Sequence, residues 1–149
     1  MNQKSNTERL TTVAYEDAVA ASKEYFQGDE LAAQGWVSKY ALKDSFGNVY
    51  ESTPEDMHHR IAKELARIEG NYPNALGEDE IFALLDHFRY VIPQGGPMTG
   101  IGNNLQVASL SNCLVIGHKN PADSYGGIFR RAEEQVQFMK RRGGVGHDV

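Results

Sequence analysis

The side chain best suited to chemistry in this sequence is the thiol of Cys113, the only cysteine among 149 residues. It stands where a polar run, residues 109–112, meets the apolar run Leu114-Val115-Ile116, which Gly117 ends. A β-branched run of this kind predicts a short buried strand with the thiol at its entrance. The thiol is then either a redox or nucleophilic group or, as is commoner beside an apolar run, a small buried side chain.

Two glycine-rich segments flank this strand. Between Ile92 and Gly102 the sequence has four glycines and two prolines, a composition that predicts no regular element. This segment is either a connector or a loop whose backbone approaches a ligand closely, since glycine has no Cβ atom. After the strand, a basic run beginning at Lys140 leads into Gly143-Gly144. The thiol therefore lies between two segments that can hold anionic groups, which is an active site in outline.

A capped helix is predicted between the strand and the basic run, because an apolar stripe repeats at helical spacing. The stripe consists of Ile128, Ala132, Val136 and Met139. Asp123 or Ser124 can cap the start of this helix, and basic residues suit its C-terminal end. Capping is the simpler explanation at both ends. The functional alternative is that Asp123 hydrogen-bonds a ribose while Arg142 and the backbone of Gly143 and Gly144 bind a phosphate.

The elements that must position these residues begin with two predicted helices. The first carries an apolar stripe over residues 13–26 and stops at Gly28, and Asp29 caps the second. The apolar stripe of the second helix is Leu31, Ala32, Trp36, Val37 and Tyr40. Turn-forming residues then predict a connection or a small hairpin over residues 43–51.

Two more helices are predicted before the glycine-rich segment. Thr53-Pro54 supplies an N-cap and a first helical residue, and Gly70 ends that helix. Its apolar face is Met57, Ile61, Leu65 and Ile68. His58 and His59 are adjacent and point to different faces, which favours surface or interface roles over metal binding. The fourth helix spans residues 78–90. Its core face is Ile81, Phe82, Leu84, Leu85 and Phe88.

The composition is that of an ordinary globular protein, with 40% hydrophobic and 23% charged residues. A net charge of -5 argues against a general nucleic-acid or membrane-surface binder. No stretch is long enough for a transmembrane helix, and residues 1–6 lack the apolar core of a signal peptide. A cytoplasmic protein with a reduced thiol is therefore predicted. Residues 146–149 look like the start of another strand, which indicates a piece of a longer chain.

Taken together, three segments resemble the large, catalytic subunit of ribonucleotide reductases. They are Ser111-Asn112-Cys113, residues 123–129 and residues 140–146. Residues 36–44 and 53–57 resemble the N-terminal helical region of that family. The sequence of residues 141–148 is most similar to that of the adenosylcobalamin-dependent, class II members.

The resemblance implies a mainly α N-terminal domain, residues 1–92, followed by the first strand and helix of a ten-stranded α/β barrel, truncated here, in residues 93–149. Cys113 would lie on the first barrel strand. With a second cysteine on a distant strand it would deliver two electrons to the substrate ribose and become a disulfide, while a third cysteine, as a thiyl radical, abstracts the 3′ hydrogen. Both further cysteines lie beyond Val149.

The resemblance also implies that Ser111, Asn112, Gly143 and Gly144 lie near a ribonucleotide substrate. Asp123 and Ser124, with Arg142, would belong to an allosteric site for deoxynucleotide or ATP effectors, beside a helix that forms a homodimer interface. The family commonly has a hydroxyl residue beside the proline where this chain reads Gly95-Gly96-Pro97, so only backbone N–H groups of that segment are offered to a phosphate. No ATP-binding cone domain is recognisable.

The function that the resemblance implies is reduction of ribonucleotides to 2′-deoxyribonucleotides for DNA synthesis, as a ribonucleoside-diphosphate reductase, although the residues leave diphosphate and triphosphate substrates open. Adenosylcobalamin would be bound by regions outside this chain, and a thioredoxin-type or glutaredoxin-type protein would be the reductant. The chain alone would be inactive. The alternative is a non-catalytic nucleotide-binding or dimerisation module, and the two hypotheses differ in whether the parent protein has two further cysteines.

Overall fold

The computed structural model describes residues 11–117 and 123–147. Two predictions concern residues outside that part. They are the lack of a signal-peptide core in residues 1–6 and the last two residues of the predicted final strand, 148 and 149. The elements are α1 (Tyr15–Tyr25), α2 (Glu30–Lys39), α3 (Pro54–Glu69), α4 (Glu78–Leu85), a 3₁₀ turn (Asp86–Phe88), α5 (Gly95–Gly100), β1 (Cys113–Ile116), α6 (Tyr125–Met139) and β2 (Gly144–His147). None of the described helices combines the length and the apolar character that crossing a membrane requires.

Helices α2 and α3 begin where local capping chemistry predicts. The carboxylate of Asp29 accepts a hydrogen bond from the Ala32 N–H at 2.9 Å, which satisfies a donor that has no partner within the helix. At the start of α3, Thr53 and Asp56 form a reciprocal capping box, with Pro54 at the first helical position. Both predicted helix starts are confirmed.

The core lies among α1 to α4 and takes in one residue of α5. Its largest members are Trp36, Val37, Met57, Ile61, Ile81, Leu85 and Met98. Single antiparallel bridges join Val49 to Val13 and to Lys43, so residues 43–51 form a small hairpin as predicted. Leu31, one of the apolar residues of the predicted second helix, lies outside the core, since it is 81% exposed. The buried face of α2 runs through Ala33, Trp36 and Val37, and Leu31 lies about 200° around the helix from Ala33.

Two predictions about the fourth helix and the glycine-rich segment are wrong. Helix α4 ends at Leu85 instead of continuing to residue 90, because His87 and Phe88 have φ angles of 51° and 55° in the left-handed region. The glycine-rich segment was predicted to form no regular element, yet it contains α5. Pro97 occupies the first turn of α5, where no backbone N–H is needed for a helical hydrogen bond.

Strands β1 and β2 are parallel and pair Cys113 with Gly144 through to Ile116 with His147. Helix α6 connects them, so residues 113–147 form a β–α–β unit. The predicted strand, helix and following strand are present, whereas the described residues extend the sheet no further than two strands. The prediction of a buried strand is wrong for Val115, which is 91% exposed, and holds for Ile116.

The predicted apolar stripe of α6 is present but largely exposed. Ile128, Val136 and Met139 are all about half exposed or more, and Arg131 is the buried residue of this helix. The side of α6 that faces β1 is largely polar. A groove of about 770 Å³ lies there, lined by Val115, Ile116, Gly117, Arg130, Glu133, Glu134, Gln137 and Phe138.

Candidate functional site

The start of β1 brings three of the predicted site residues together. The Gly144 N–H donates to the carbonyl of Asn112 at 2.6 Å, and Cys113 pairs with Gly144 in the sheet. A Cβ atom at Gly144 would lie 3.7 Å from the sulfur of Cys113. Gly143 is held beside them, because its N–H donates to the Phe138 carbonyl at 3.1 Å where α6 ends. The thiol therefore lies beside Gly144 of β2, which has only backbone atoms at that point.

Cys113 is exposed and carries a free thiol. This exposure argues against the alternative in which the cysteine is a small buried packing residue. An accessible thiol can ionise, be alkylated and exchange with another thiol or a disulfide. The position of Cys113 at the entrance of the strand is thus one in which its sulfur can react.

The residues just before Cys113 hold one another by side-chain to backbone hydrogen bonds. The hydroxyl of Ser109 accepts from the Ser111 N–H at 3.1 Å and donates to the Ser111 carbonyl at 2.9 Å. The Ser109 N–H donates to the carbonyl of Arg141 at 2.9 Å. The Ser111 hydroxyl itself lies 3.4 Å from the Cys113 carbonyl. Ser111 therefore belongs to a fixed turn that joins β1 to the end of α6.

Both polar atoms of the Asn112 side chain are engaged within the chain. Its Oδ1 accepts from the Gly96 N–H, and its Nδ2 donates to Oε1 of Gln94 at 2.9 Å. The Gly96 N–H was expected to be available for a phosphate, but it already donates to the Asn112 side chain. Sequence reasoning missed Gln94 as part of this site, since nothing in its local context marks it. In this structure Asn112 joins the start of α5 to the start of β1.

Two of the three glycines of α5 are explained by its packing against residues 109–112. A Cβ atom at Gly96 would lie 2.5 Å from Oδ1 of Asn112 and 3.2 Å from the Ser109 carbonyl, and one at Gly100 would lie 2.6 Å from the Leu110 side chain. The backbone of α5 therefore approaches residues 109–112 of the same chain closely. The predicted approach to a ligand stays a prediction.

The residues predicted for effector binding fall into two places. Ser124 caps α6, its hydroxyl accepting from the Gly127 N–H at 3.1 Å, and Asp123 precedes it. Arg142 follows the other end of α6, with a φ angle of 66°. Fifteen residues of helix separate the ends by about 22 Å. The structure thus does not bring Asp123 and Arg142 of one chain to a single nucleotide.

Arg142 instead lies near the helical part of the molecule. Partial burial lowers the pKa of Lys43, and the positive charge of Arg142 lowers it further. The Lys43 ammonium donates to the Ser38 carbonyl at 2.7 Å. The charge of Arg142 therefore acts on Lys43, at the start of the hairpin of residues 43–51.

His58 corrects another prediction, because it is fully buried and not a surface residue. Burial lowers the pKa of its ring to about 4. Its ring meets the ring of Phe88 edge to face at 4.7 Å, and neither of its nitrogens has a hydrogen-bond partner within the described residues. Over the same residues, no three His, Cys, Asp or Glu side chains converge as metal ligands would.

Comparison with known families bears on the helical part. Residues 26–98, about half of the chain, match the family model described as ribonucleotide reductase, all-alpha domain. This range covers α2, α3, α4 and the start of α5, and it ends before Cys113. No curated protein and no solved structure gives a significant match. Residues 26–98 are therefore similar to the all-alpha domain of ribonucleotide reductases.

Proposed function

We propose that this chain is the N-terminal part of a ribonucleotide reductase catalytic subunit and that Cys113 is one half of its reducing dithiol. The match of residues 26–98 to the all-alpha domain supports the family. The observation that supports the chemistry is the exposed thiol at the start of β1, beside the bare backbone of Gly144. Because glycine has no side chain, a ribose can approach the sulfur from that side.

The proposed reaction replaces the 2′-hydroxyl of a ribonucleotide by hydrogen. The bond between C2′ and oxygen breaks and the hydroxyl leaves as water. Two thiols, Cys113 and a second cysteine outside this chain, give up two protons and two electrons, and a sulfur–sulfur bond forms between them. A thioredoxin-type or glutaredoxin-type protein then reduces that disulfide by thiol exchange, which requires that Cys113 be accessible.

The other predicted residues take roles around this thiol. Ser111 and the backbone of Gly143 and Gly144 would line the substrate side of β1, while Asn112 holds β1 against α5. Arg142, which adjoins Gly143, would meet the substrate phosphate. Asp123 and Ser124 would bind a deoxynucleotide effector at the start of α6, and the exposed stripe of α6 would form the homodimer interface.

The proposal includes a radical source outside these residues. Adenosylcobalamin would supply the radical that activates the substrate, and it would be bound by other regions of the subunit. Ribonucleoside diphosphates are the proposed substrates. In the reaction itself, the residues of this chain are assigned the delivery of electrons from Cys113 and the placing of the substrate beside it.

A non-catalytic dimerisation module is the second candidate, and the exposed stripe of α6 is the observation that favours it. An apolar helix face of this kind suits a partner helix. The two candidates make opposite predictions about Cys113, since a module that only dimerises does not need a thiol there.

The deciding experiment is Cys113→Ser in the full-length parent protein. A hydroxyl is nearly the size of a thiol, so folding and nucleotide binding should be preserved, while multiple turnover with a dithiol reductant should be abolished because no disulfide can form. Steady-state deoxynucleotide production and the melting temperature are measured together. Val107→Ala, which truncates an exposed side chain six residues away, is the control and should retain most of the turnover. Near-normal turnover of the cysteine variant would remove Cys113 from the mechanism.

A further inference from the structure

A buried ion pair connects α3 to the residue stretch that precedes it. The guanidinium of Arg60 donates to both carboxylate oxygens of Glu51, at 2.6 and 3.3 Å. The Glu51 side chain is 5% exposed and that of Arg60 is 10% exposed. Burying two charges costs several kcal/mol per ion, so a buried pair is stable only when its remaining donors and acceptors also find partners. The partners of this pair therefore indicate what it does.

The remaining bonds of Arg60 lead to α5. Its guanidinium donates to the Met98 carbonyl at 2.8 Å and also to the Ile101 carbonyl. These acceptors lie at the C-terminal end of α5, where carbonyls have no helical partner. The neighbouring carbonyls are already occupied, since Thr99 and Gly100 accept from Asn103. Arg60 thus supplies the bonds that α5 cannot make for itself.

The contact between Arg60 and the chain after α5 leaves little room for adjustment. Gly102 has a φ angle of 71°, and a Cβ atom there would lie 2.9 Å from Cγ of Arg60 and 3.2 Å from its carbonyl oxygen. On the Glu51 side, the carboxylate also accepts from the Leu42 N–H at 2.7 Å. Arg60 is consequently fixed at both ends, with α5 on one side and the hairpin of residues 43–51 on the other.

The opposite face of α5 meets the residues before Cys113. Gly96 and Gly100, one helical turn apart, lie against residues 109–112. The Gly96 N–H donates to Asn112, and the Asn112 carbonyl accepts from Gly144. An unbroken series of direct contacts therefore runs from Glu51 through Arg60, α5 and Asn112 to the strand pair that holds the thiol.

We propose that Arg60 is a positioning residue for Cys113, acting through α5 and Asn112, an inference that rests on the proposed function of that thiol. The all-alpha domain thereby has a role at the reacting sulfur, which its series of contacts reaches through Asn112. The competing explanation is that the ion pair only stabilises the helical core.

The test measures the reactivity of the Cys113 thiol and the opening of the contact at Gly96, and it separates both from a general loss of stability. In the 149-residue chain, Arg60→Met removes the bonds to Met98 and Ile101, and Arg60→Lys keeps the charge without the planar fork. The double variant Glu51→Gln with Arg60→Met removes both charges, so that a folded protein is retained. Leu85→Ala is the matched control, because it weakens the same core from α4, outside the series of contacts that runs from Glu51 to Asn112. The measurements are the alkylation rate of Cys113 by iodoacetamide and hydrogen exchange at the Gly96 amide.

We expect both variants that carry Arg60→Met to raise exchange at Gly96 by at least about tenfold and to change the alkylation rate by about threefold or more. Arg60→Lys should give a smaller change in the same direction. Leu85→Ala should lower the melting temperature without either effect under folding conditions. If Leu85→Ala reproduces both effects, or if the double variant shows neither, Arg60 is not a positioning residue.

In the full-length parent, Arg60→Lys should lower kcat with little change in KM, since the sulfur is misplaced after the substrate has bound. Equal losses from Leu85→Ala would overturn the proposal here too. The alkylation and exchange results do not depend on catalysis. They can therefore fail while the turnover test of Cys113→Ser succeeds, and the two failures are distinguishable.

Discussion

Gly96 is a position where the contacts leave no space for a methyl group. Alanine normally stabilises a helix by about 1 kcal/mol relative to glycine. In Gly96→Ala the new Cβ would lie 2.5 Å from Oδ1 of Asn112 and 3.3 Å from the Leu110 carbonyl carbon. We expect displacement of the Asn112 side chain and a loss of about 1–3 kcal/mol in the free energy of unfolding.

The control for this substitution is Gly35→Ala in the middle of α2, where a Cβ atom would meet nothing within 4 Å. It should stabilise the protein by about 0.5–1 kcal/mol. Urea denaturation of both variants measures the two free energies. The same sign for both substitutions would show that the contact between α5 and Asn112 does not constrain Gly96.

His58 predicts a pH dependence of stability. Its pKa in the fold is about 4 because of burial, below the value of about 6.5 in an unfolded chain. Between these values the unfolded state binds a proton that the folded state does not, so the free energy of unfolding falls as the pH is lowered through this window. The loss approaches about 3 kcal/mol near pH 4, at about 1.4 kcal/mol for each pH unit.

His58→Phe should remove this part of the pH dependence. Urea midpoints of the variant and the parent chain are compared from pH 7.5 to 4.5, and the carboxylates that titrate in both proteins cancel in the difference. His59→Phe is the control, because His59 is the exposed neighbour and its stack on Phe82 is retained. Parallel pH profiles for His58→Phe and the parent would contradict the assignment.

The burial of His58 could not be predicted from its neighbours in the sequence. Met57 and Ile61 mark the apolar face of α3, and His58 stands at the edge of that face. It becomes buried because Phe88 packs on its ring. That contact depends on the left-handed conformation of His87 and Phe88, for which no glycine or asparagine in the sequence gives a signal.

At the scale of the elements, the capping box of α3 has two parts that can be compared, the Asp56 carboxylate and the Thr53 hydroxyl. Oδ2 of Asp56 accepts from the Ser52 and Thr53 N–H groups at 2.8 and 3.0 Å, whereas the Asp56 N–H reaches the Thr53 hydroxyl at 3.4 Å. The carboxylate bonds are shorter and charge-assisted, and they lie at the positive end of the helix dipole. We expect Asp56→Ala to cost about 1–2 kcal/mol and Thr53→Ala about 0.5–1 kcal/mol.

Thermal unfolding of the two alanine variants checks this order. Thr53→Ser keeps a hydroxyl at the cap and serves as the control, with a stability close to that of the parent chain. A larger loss for Thr53→Ala than for Asp56→Ala would contradict the assignment of the main capping interaction to the carboxylate.

Elements with local signals were predicted well, and those that depend on distant contacts were not. Asp29, Thr53 and Ser124 cap their helices within three residues, so the sequence contains the whole interaction. Helix α5 is hydrogen-bonded by Arg60 at one end and by Asn112 at the other, and both residues are distant from it along the chain. Its glycines were noticed for their lack of side chains, but the sequence does not say what approaches them.

For the molecule as a whole, part of the candidate site followed from the sequence. Ser111, Asn112 and Cys113 are adjacent in the chain, and the parallel pairing of β1 with β2 brings Gly143 and Gly144 to them. Arg142 and Asp123 are kept apart by the length of α6. The predicted domain boundary at residue 92 stays a prediction. Met98 nevertheless packs into the helical core, and the family match extends to residue 98.

The distribution of buried residues gives the last prediction. The core residues belong almost entirely to residues 13–101, whereas Ile116 and Arg131 are the buried side chains within residues 113–116 and 125–147 of the described structure. Local opening costs least where little apolar surface is buried. We therefore expect the amides of β1, β2 and α6 to exchange at least about tenfold faster than those of α2 and α3.

Hydrogen exchange followed by mass spectrometry measures both regions in one sample. Exchange should be recorded over a dilution series with sedimentation as the control, because association through the exposed stripe of α6 would protect that helix at high concentration. Protection of α6 that equals that of α3 in a monomeric sample would contradict this prediction. It would show that the β–α–β unit is stabilised by contacts other than those that bury Ile116 and Arg131.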